Sequence, residues 1–188
     1  FLWCPGEETP LKNVTKFSPG SAMIIENGQF TKSGQWYKNP SEKNDIIFMN
    51  NKKDIIFQLR NELYSSVESQ LIADVPVGGF LSGGLDSSIL SSIAAKNISG
   101  KLKTYSVGFK EKKYDETHKA RTIAKYINSE HTEVFVGKED FFNNIEKIIE
   151  VKDVPLSIPH EYPLYLLSKK MKQDIKVVLS GEGADEFF

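Results

Sequence analysis

Apolar and polar positions alternate with a clear rhythm from Asn51 onward. Ile55, Leu59, Leu63, Val67 and Leu71 recur every four residues, which places them on one helical face. Val75 to Leu81 then reads as a short apolar strand, and Asp86 to Ile98 as a helix closed by Gly100. Thr104 to Phe109 is a strand, and Asp115 to Ile127 a helix with two acids in its first turn, where the helix dipole favours them. His131 to Val136 predicts a strand, Glu139 to Ile149 a helix, Leu164 to Met171 part of another helix, and Ile175 to Leu179 a buried strand. Strands alternating with helices predict an α/β fold, a parallel sheet with helices on both faces.

Residues 1 to about 45 lack this rhythm and are rich in Gly, Pro, Ser, Thr, Asn and Lys. Ser21 to Glu26 looks like a strand, Asn27-Gly28 is a hairpin turn, and Gln29 to Tyr37 can return. The expected organisation is a short, mostly β segment over 1–45, with a linker through Lys38-Asn39-Pro40-Ser41, then the α/β region over 46–188.

Composition narrows the function classes. A chain of 188 residues and 21.2 kDa is long enough to bury a sizeable core. Its net charge of -1 argues against a general nucleic-acid binder, which needs a basic excess. No apolar run approaches the roughly 20 residues of a membrane-spanning helix. The single cysteine, Cys4, rules out a disulfide within the chain and a zinc site built on several thiolates. With no signal segment visible, a reducing cytoplasm is the expected compartment. The chain opens at FLWCPGEETP without Met and closes at GEGADEFF, and both ends read as cuts in a longer protein.

Val77 to Ser88, VGGFLSGGLDSS, carries the most chemistry. It reads strand, glycine-rich turn, helix. Gly83 and Gly84 let the backbone turn with its N–H groups converging, and the helix starting near Asp86 adds its positive end. Ser82, Ser87 and Ser88 can add hydroxyl donors. Such a cradle suits a polyphosphate, and Asp86 would face it through a bridging Mg²⁺. An isolated Ser-Gly-Gly is an ordinary turn as readily as a site; the full run between strand and helix favours the site. Neither GxxxxGK[ST] nor a GxGxxG at this first loop is present. Ser180-Gly181-Glu182-Gly183 also follows a buried strand and should reach the same sheet edge. Glu182, Asp185 and Glu186 crowd there, which is costly unless cations or protons offset them. Alternatively, Asp185 and Glu186 simply favour the start of a following helix.

Ser82-Gly83-Gly84-Leu85-Asp86-Ser87 resembles the pyrophosphate loop of the ATP pyrophosphatase superfamily, whose fold is Rossmann-like, of the adenine nucleotide alpha hydrolase type. Four further runs narrow the branch: Asp74-Val75-Pro76-Val77-Gly78, Ser106-Val107-Gly108-Phe109, Tyr114-Asp115-Glu116 and the closing LSGEGADE from Leu179 to Glu186. In this order they are similar to the synthetase domain of glutamine-hydrolysing asparagine synthetases. Lys16 to Gly20 and Gln35-Trp36-Tyr37 resemble the end of that family's N-terminal glutaminase domain. The resemblance is weakest over residues 138–160.

The resemblance implies ATP and Mg²⁺ as cofactors. Leu81 and Val107 would give backbone contacts to adenine, and Ser180 and Gly181 would contact the nucleotide near ribose and α-phosphate. Ser82, Gly83, Gly84, Asp86 and Ser87 would hold the pyrophosphate, Asp86 and Asp185 would bind Mg²⁺, and Glu182 would serve the acyl-adenylate steps. The implied small-molecule partners are ATP, aspartate and ammonia or glutamine, without nucleic acid or membrane; a homodimer is left open. The glutaminase domain and the rest of the synthetase domain, including a phosphate-contacting lysine, would lie outside these residues. Cys4 is not at a chain terminus and is expected to be a bystander to the family's N-terminal cysteine chemistry. His160-Glu161 stands where the family has small residues. Related readings are a ligase of the β-lactam synthetase or peptide cyclase type, and a nucleotide-binding fragment without turnover. His118, His131 and His160 lack ligand spacing and read as surface or packed residues. Lys169, Lys170, Lys172 and Lys176 read as a solvated helix face, and Phe141-Phe142 as core.

Overall fold

The computed structural model describes Cys4 and residues 6–37, 51–152, 156 and 158–186. The expected linker at Lys38 to Ser41, the boundary between 45 and 46 and the side chain of Glu186 lie outside the described residues. The chain divides into two compact units, Phe1–Lys52 and Lys53–Phe188.

The first unit holds strands β1 (Ser21–Glu26) and β2 (Gln29–Gln35), paired antiparallel. Asn27 and Gly28 both have positive φ, 52° and 77°, as the tight hairpin turn requires. The register slips by one residue between Ile24 and Ile25, and Thr31 Oγ1 donates to the Ile24 carbonyl at 3.0 Å beside the slip.

The second unit is built on four parallel strands: β3 (Val77–Phe80), β4 (Lys103–Phe109), β5 (Glu130–Val136) and β6 (Val177–Leu179). Their order is β5-β4-β3-β6. Helices α1 (Lys52–Gln70), α2 (Leu85–Asn97), α3 (Thr117–Tyr126), α4 (Lys138–Lys152) and α5 (Glu161–Met171) fill the connections. The alternating pattern was therefore read in the correct class, with boundaries differing by a few residues. The chain runs outward from β3 to β5, then returns to place β6 on the other side of β3. The strand order thus reverses between β3 and β6, where sheets of this kind open a crevice beyond the strand ends.

Alternation along the strands sends side chains to two different cores. Tyr105, Phe80, Val107 and Val178 face α5, where Leu167 and Met171, with Ile175 from the turn after the helix, close a buried cluster. On the opposite face Leu81 packs against Ala120 and Ala124 of α3. On that same side Val67 of α1 meets Ile93 and Ala94 of α2, with Leu102 and Leu179. Helices thus cover both sides.

Along the expected α1 face Val67 is buried and Leu63 and Leu71 are half-buried, whereas Ile55 and Leu59 stay exposed. One expectation is corrected. Of the phenylalanine pair, Phe141 packs edge-on against Tyr162 in the core, whereas Phe142 is exposed. Successive residues on a helix point about 100° apart, so both rings cannot enter one core.

Candidate functional site

The crevice is made by the segments that follow β3 and β6. After β3 the chain passes through Leu81, Ser82, Gly83 and Gly84 into α2. Gly83 has φ +81°, and a Cβ there would lie 2.5 Å from the backbone of Lys119 and Ala120 at the start of α3. Both the left-handed conformation and the close approach of α3 require glycine. The serines tie the turn together. Ser82 N–H donates to Ser87 Oγ at 3.2 Å, their hydroxyls lie 2.9 Å apart, and Gly84 N–H donates to Ser82 Oγ at 3.2 Å. Ser88 Oγ donates to the Gly84 carbonyl at 2.5 Å, so that carbonyl is turned into the helix rather than into the crevice. No side chain caps α2. The free N–H groups of its first turn therefore present a positive end, suited to an anion.

The second loop comes to meet this end. A Cβ on Gly181 would be 3.1 Å from Asp86 Cβ and 3.4 Å from Ser87 N, so the backbone after β6 runs directly along the start of α2. Ser180 Oγ accepts Glu182 N–H at 3.2 Å, and Gly183 turns the chain at φ +90° into a short 3-10 turn, Ala184–Glu186.

Two cavities result. The smaller, about 330 Å³, is walled by Ser82, Asp86, Ser87, Gly181, Glu182 and Asp185. The larger, about 930 Å³, adjoins it through Phe80, Ser82, Ser180 and Glu182, which belong to both walls. Its other walls are mainly apolar and include Leu81, Val107, Phe109 and Ala120. A polar pocket beside an apolar one matches a ligand with a charged tail and a flat, weakly polar body.

The apolar cavity also has a hydrogen-bonding edge. The last register pair of β3 and β4 is Phe80 with Tyr105, and Leu81 N–H adds one more rung to the Tyr105 carbonyl at 2.8 Å. In a strand the N–H and C=O of a residue point to one side, and residues two apart point the same way. Val107 thus turns its N–H and C=O toward the side where β3 has already ended. A donor and an acceptor offered side by side are what the ring edge of adenine can pair with.

The structure therefore gathers most of the expected site residues. Leu81, Ser82, Val107, Ser180 and Glu182 wall the larger cavity; Ser82, Asp86, Ser87, Ser180, Gly181, Glu182 and Asp185 wall the smaller. Gly83 and Gly84 shape the loop without forming part of either wall. Among the described residues there is no cluster of three or more His, Cys, Asp or Glu side chains able to hold a metal. The Asp86 and Asp185 carboxylates nevertheless share one cavity. Mg²⁺ characteristically takes one or two protein carboxylates together with phosphate oxygens and water, so this pair fits it.

Several wall residues were assigned no role in the site from sequence. Tyr114, Glu116 and Thr117 enter the larger cavity, as do Pro159, His160 and Tyr162 from the start of α5. The two acids expected inside α3 in fact precede it. Asp115 accepts Thr117 N–H at 3.3 Å and Thr117 Oγ1 at 3.0 Å, which ties the turn ahead of the helix, whose cap position is Glu116. Glu116 pairs with Lys119 at 2.6 Å, a contact that holds its carboxyl below the ordinary glutamate range. His160 and Glu161 separate in role: His160 faces the cavity, while Glu161 pairs with Lys152 at 2.5 Å. His118 is exposed, and His131 is packed among hydroxyls between the sheet and α3.

The family model described as asparagine synthase matches residues 58–188. The chain is 35% identical to asparagine synthetase [glutamine-hydrolyzing] 1 of Bacillus subtilis, over 100% of this chain and 29% of that protein. It is 37% identical to a putative asparagine synthetase 2 of Methanocaldococcus jannaschii, over 98% of this chain and 35% of that protein. Asparagine synthetase 3 of Arabidopsis thaliana is 32% identical over 92% of this chain and 30% of its own length. The chain thus spans about a third of the length of these relatives. Among solved structures, an NMN synthetase from Francisella tularensis shares 14% identity and a TM-score of 0.48, over 69% of this chain and 56% of that one. Matched by the family model over most of its second unit, and by these relatives along nearly its whole length, the chain belongs to the asparagine synthase family.

Proposed function

We propose that the protein carrying this chain is an AMP-forming carbon–nitrogen ligase that amidates L-aspartate to L-asparagine at the expense of ATP. The observation that carries this reading is the pair of loops at the strand-order reversal. They join a polar, helix-capped pocket to an apolar cavity with a hydrogen-bonding edge. Family membership supports the choice of acceptor.

Adenine would lie against Leu81 and Val107, pairing with the Val107 backbone. Ser180 and Gly181 would meet the ribose and α-phosphate at the junction of the cavities. The Ser82–Ser87 turn and the N-terminus of α2 would hold the β- and γ-phosphates, stabilising charge on the leaving pyrophosphate. Mg²⁺, held by Asp86 and Asp185, would neutralise phosphate charge when bound. An oxygen of the aspartate side-chain carboxylate attacks the α-phosphorus, forming the mixed anhydride β-aspartyl-AMP and expelling pyrophosphate. Ammonia then attacks the acyl carbon, loses a proton and expels AMP. Glu182, which lines both cavities, would orient the acceptor and receive that proton. Glutamine would supply the ammonia through a glutaminase domain ending within residues 1–45, while residues 46–188 begin the synthetase domain. We assign the protein to the cytoplasm; no described helix is long and apolar enough to cross a membrane.

The test is AMP and pyrophosphate release from Mg-ATP by the full-length protein, over a panel of carboxylates with glutamine or ammonia supplied. Release with aspartate, lost in Asp86→Ala, supports the reading. AMP formed only with another carboxylate moves the acceptor to a different ligase of the same chemistry. ATP binding without AMP under any condition refutes turnover.

A further inference from the structure

The face of the sheet beneath α3 carries hydroxyls where a core usually has aliphatic side chains. Thr104 and Ser106 of β4 are both buried. Directly across on β5, His131 stands in register with Thr104 and occupies both of its ring nitrogens with β4 hydroxyls. Nδ1 lies 2.9 Å from Thr104 Oγ1, and Nε2 lies 3.1 Å from Ser106 Oγ. Thr104 Oγ1 is also 2.9 Å from Ser129 Oγ. One imidazole thus clamps two alternate residues of β4. Ser106 walls the larger cavity and immediately precedes Val107, whose backbone forms that cavity's hydrogen-bonding edge.

We propose that His131 is a positioning residue for the nucleotide cavity, holding the Ser106 hydroxyl and, through it, the end of β4 that presents Val107. This rests on the assignment of that cavity to a nucleotide. A neutral ring has one N–H and one bare nitrogen, so one β4 hydroxyl donates to it and the other accepts. A protonated ring has two N–H groups. Both hydroxyls must then accept, and one must turn its own proton out of a bond it had in the neutral state. The arrangement is therefore tied to the neutral form. The charged groups facing the ring are Glu133 from β5 and Arg121 from α3; β4 and the turn before β5 offer only Thr104, Ser106 and Ser129. Glu133 Oε1 is 3.8 Å from Nε2, beyond hydrogen-bond reach. Its carboxylate is held instead by two bonds from Arg121, at 3.1 and 2.8 Å. Burial, the largest influence, keeps the imidazole below its ordinary value despite Glu133.

The experiment compares wild type, His131→Phe and His131→Gln in the full-length protein, reading ATP affinity by calorimetry between pH 5.5 and 8, with melting curves alongside. Phe fills the ring volume without hydrogen bonds and leaves Ser106 unpartnered. The expected result is an ATP Kd raised about tenfold at pH 7.5, the size set by one unpaired buried hydroxyl. Gln, whose amide can give and take a hydrogen bond, should return the Kd to within about twofold of wild type. Because burial holds the imidazole below its ordinary value of about 6.5, wild type should lose affinity only at pH below that value, and by more than His131→Gln does. A His131→Phe protein that melts lower but binds ATP like wild type makes His131 only structural and overturns the proposal. So does an acid loss of equal size in wild type and His131→Gln. Wild type that fails to bind ATP at pH 7.5 refutes the nucleotide assignment itself and this proposal with it.

Discussion

Replacing Gly83 by alanine should damage the site out of proportion to one methyl group. Two costs coincide at this position. The residue sits at φ +81°, where a Cβ costs about 1–2 kcal/mol. The added carbon would also lie 2.5 Å from Ala120 N and from the Lys119 carbonyl carbon. These are backbone atoms at the start of α3, so no side chain can swing aside. Relief requires moving the loop or the helix, at about 1–3 kcal/mol for a buried overpacked site. The sum, about 2–5 kcal/mol, is a substantial part of the stability of a domain. Gly84→Ala is the internal control. Gly84 has an ordinary φ of -70°, and its Cβ would meet only Ser82 Oγ at 3.3 Å. The assay is thermal melting and ATP titration of both variants in the full-length protein. Gly83→Ala should melt well below wild type and bind ATP at least tenfold more weakly, whereas Gly84→Ala should lose much less stability. Equal behaviour of the two variants would refute the argument that the approach of α3 fixes the loop.

Other consequences follow from the same geometry. Asp86→Asn should remove the Mg²⁺ dependence of ATP binding and lower turnover by two orders of magnitude or more, on the order expected for a lost electrostatic stabiliser; Mg²⁺ titration of ATP affinity checks it. Leu102→Ala, at a side chain 1% exposed, should cost about 2–5 kcal/mol in urea unfolding. Ile72→Ala, at 86% exposure, should stay within about 0.5 kcal/mol. Burial, with a 3.3 Å bond to Asp174, pushes the Tyr105 phenol up to about 12. The folded state therefore keeps this proton above pH 10, and its contribution to stability should fall as pH rises from about 10 through 12. Melting of wild type and Tyr105→Phe between pH 8 and 11 should converge as the pH rises.

The elements that could be read from sequence are those whose pattern is local. β3 and β6 carry short apolar runs with glycine or proline nearby, and the alternation of strand-like segments with helical repeats is enough to indicate a parallel sheet. The phosphate turn was visible because Gly83, Gly84 and three serines are adjacent in the chain. Strand order was not visible. Nothing in Val177 to Leu179 says that it pairs with β3 rather than β5, yet that pairing brings Gly181 against Asp86. The four-residue spacing in α1 reported a helical face but not what covers it, so the exposure of Ile55 and Leu59 could not be read from it. Glu116 and His160 were missed as wall residues because they come from the starts of α3 and α5, and only the packing of those helices turns them to one cavity. The clamp on β4 by His131 depends on cross-strand register, which no spacing along a single chain reveals.

The central claim is that the two loops activate a carboxylate as its adenylate, and oxygen labelling tests it most directly. The full-length protein would be incubated with Mg-ATP, ammonia and aspartate carrying ¹⁸O in its side-chain carboxylate, and the nucleotide and phosphate products analysed by mass. Attack on the α-phosphorus requires one ¹⁸O to appear in AMP and none in pyrophosphate. Label in inorganic phosphate, with ADP as the nucleotide product, would mean attack at the γ-phosphate and would contradict the account.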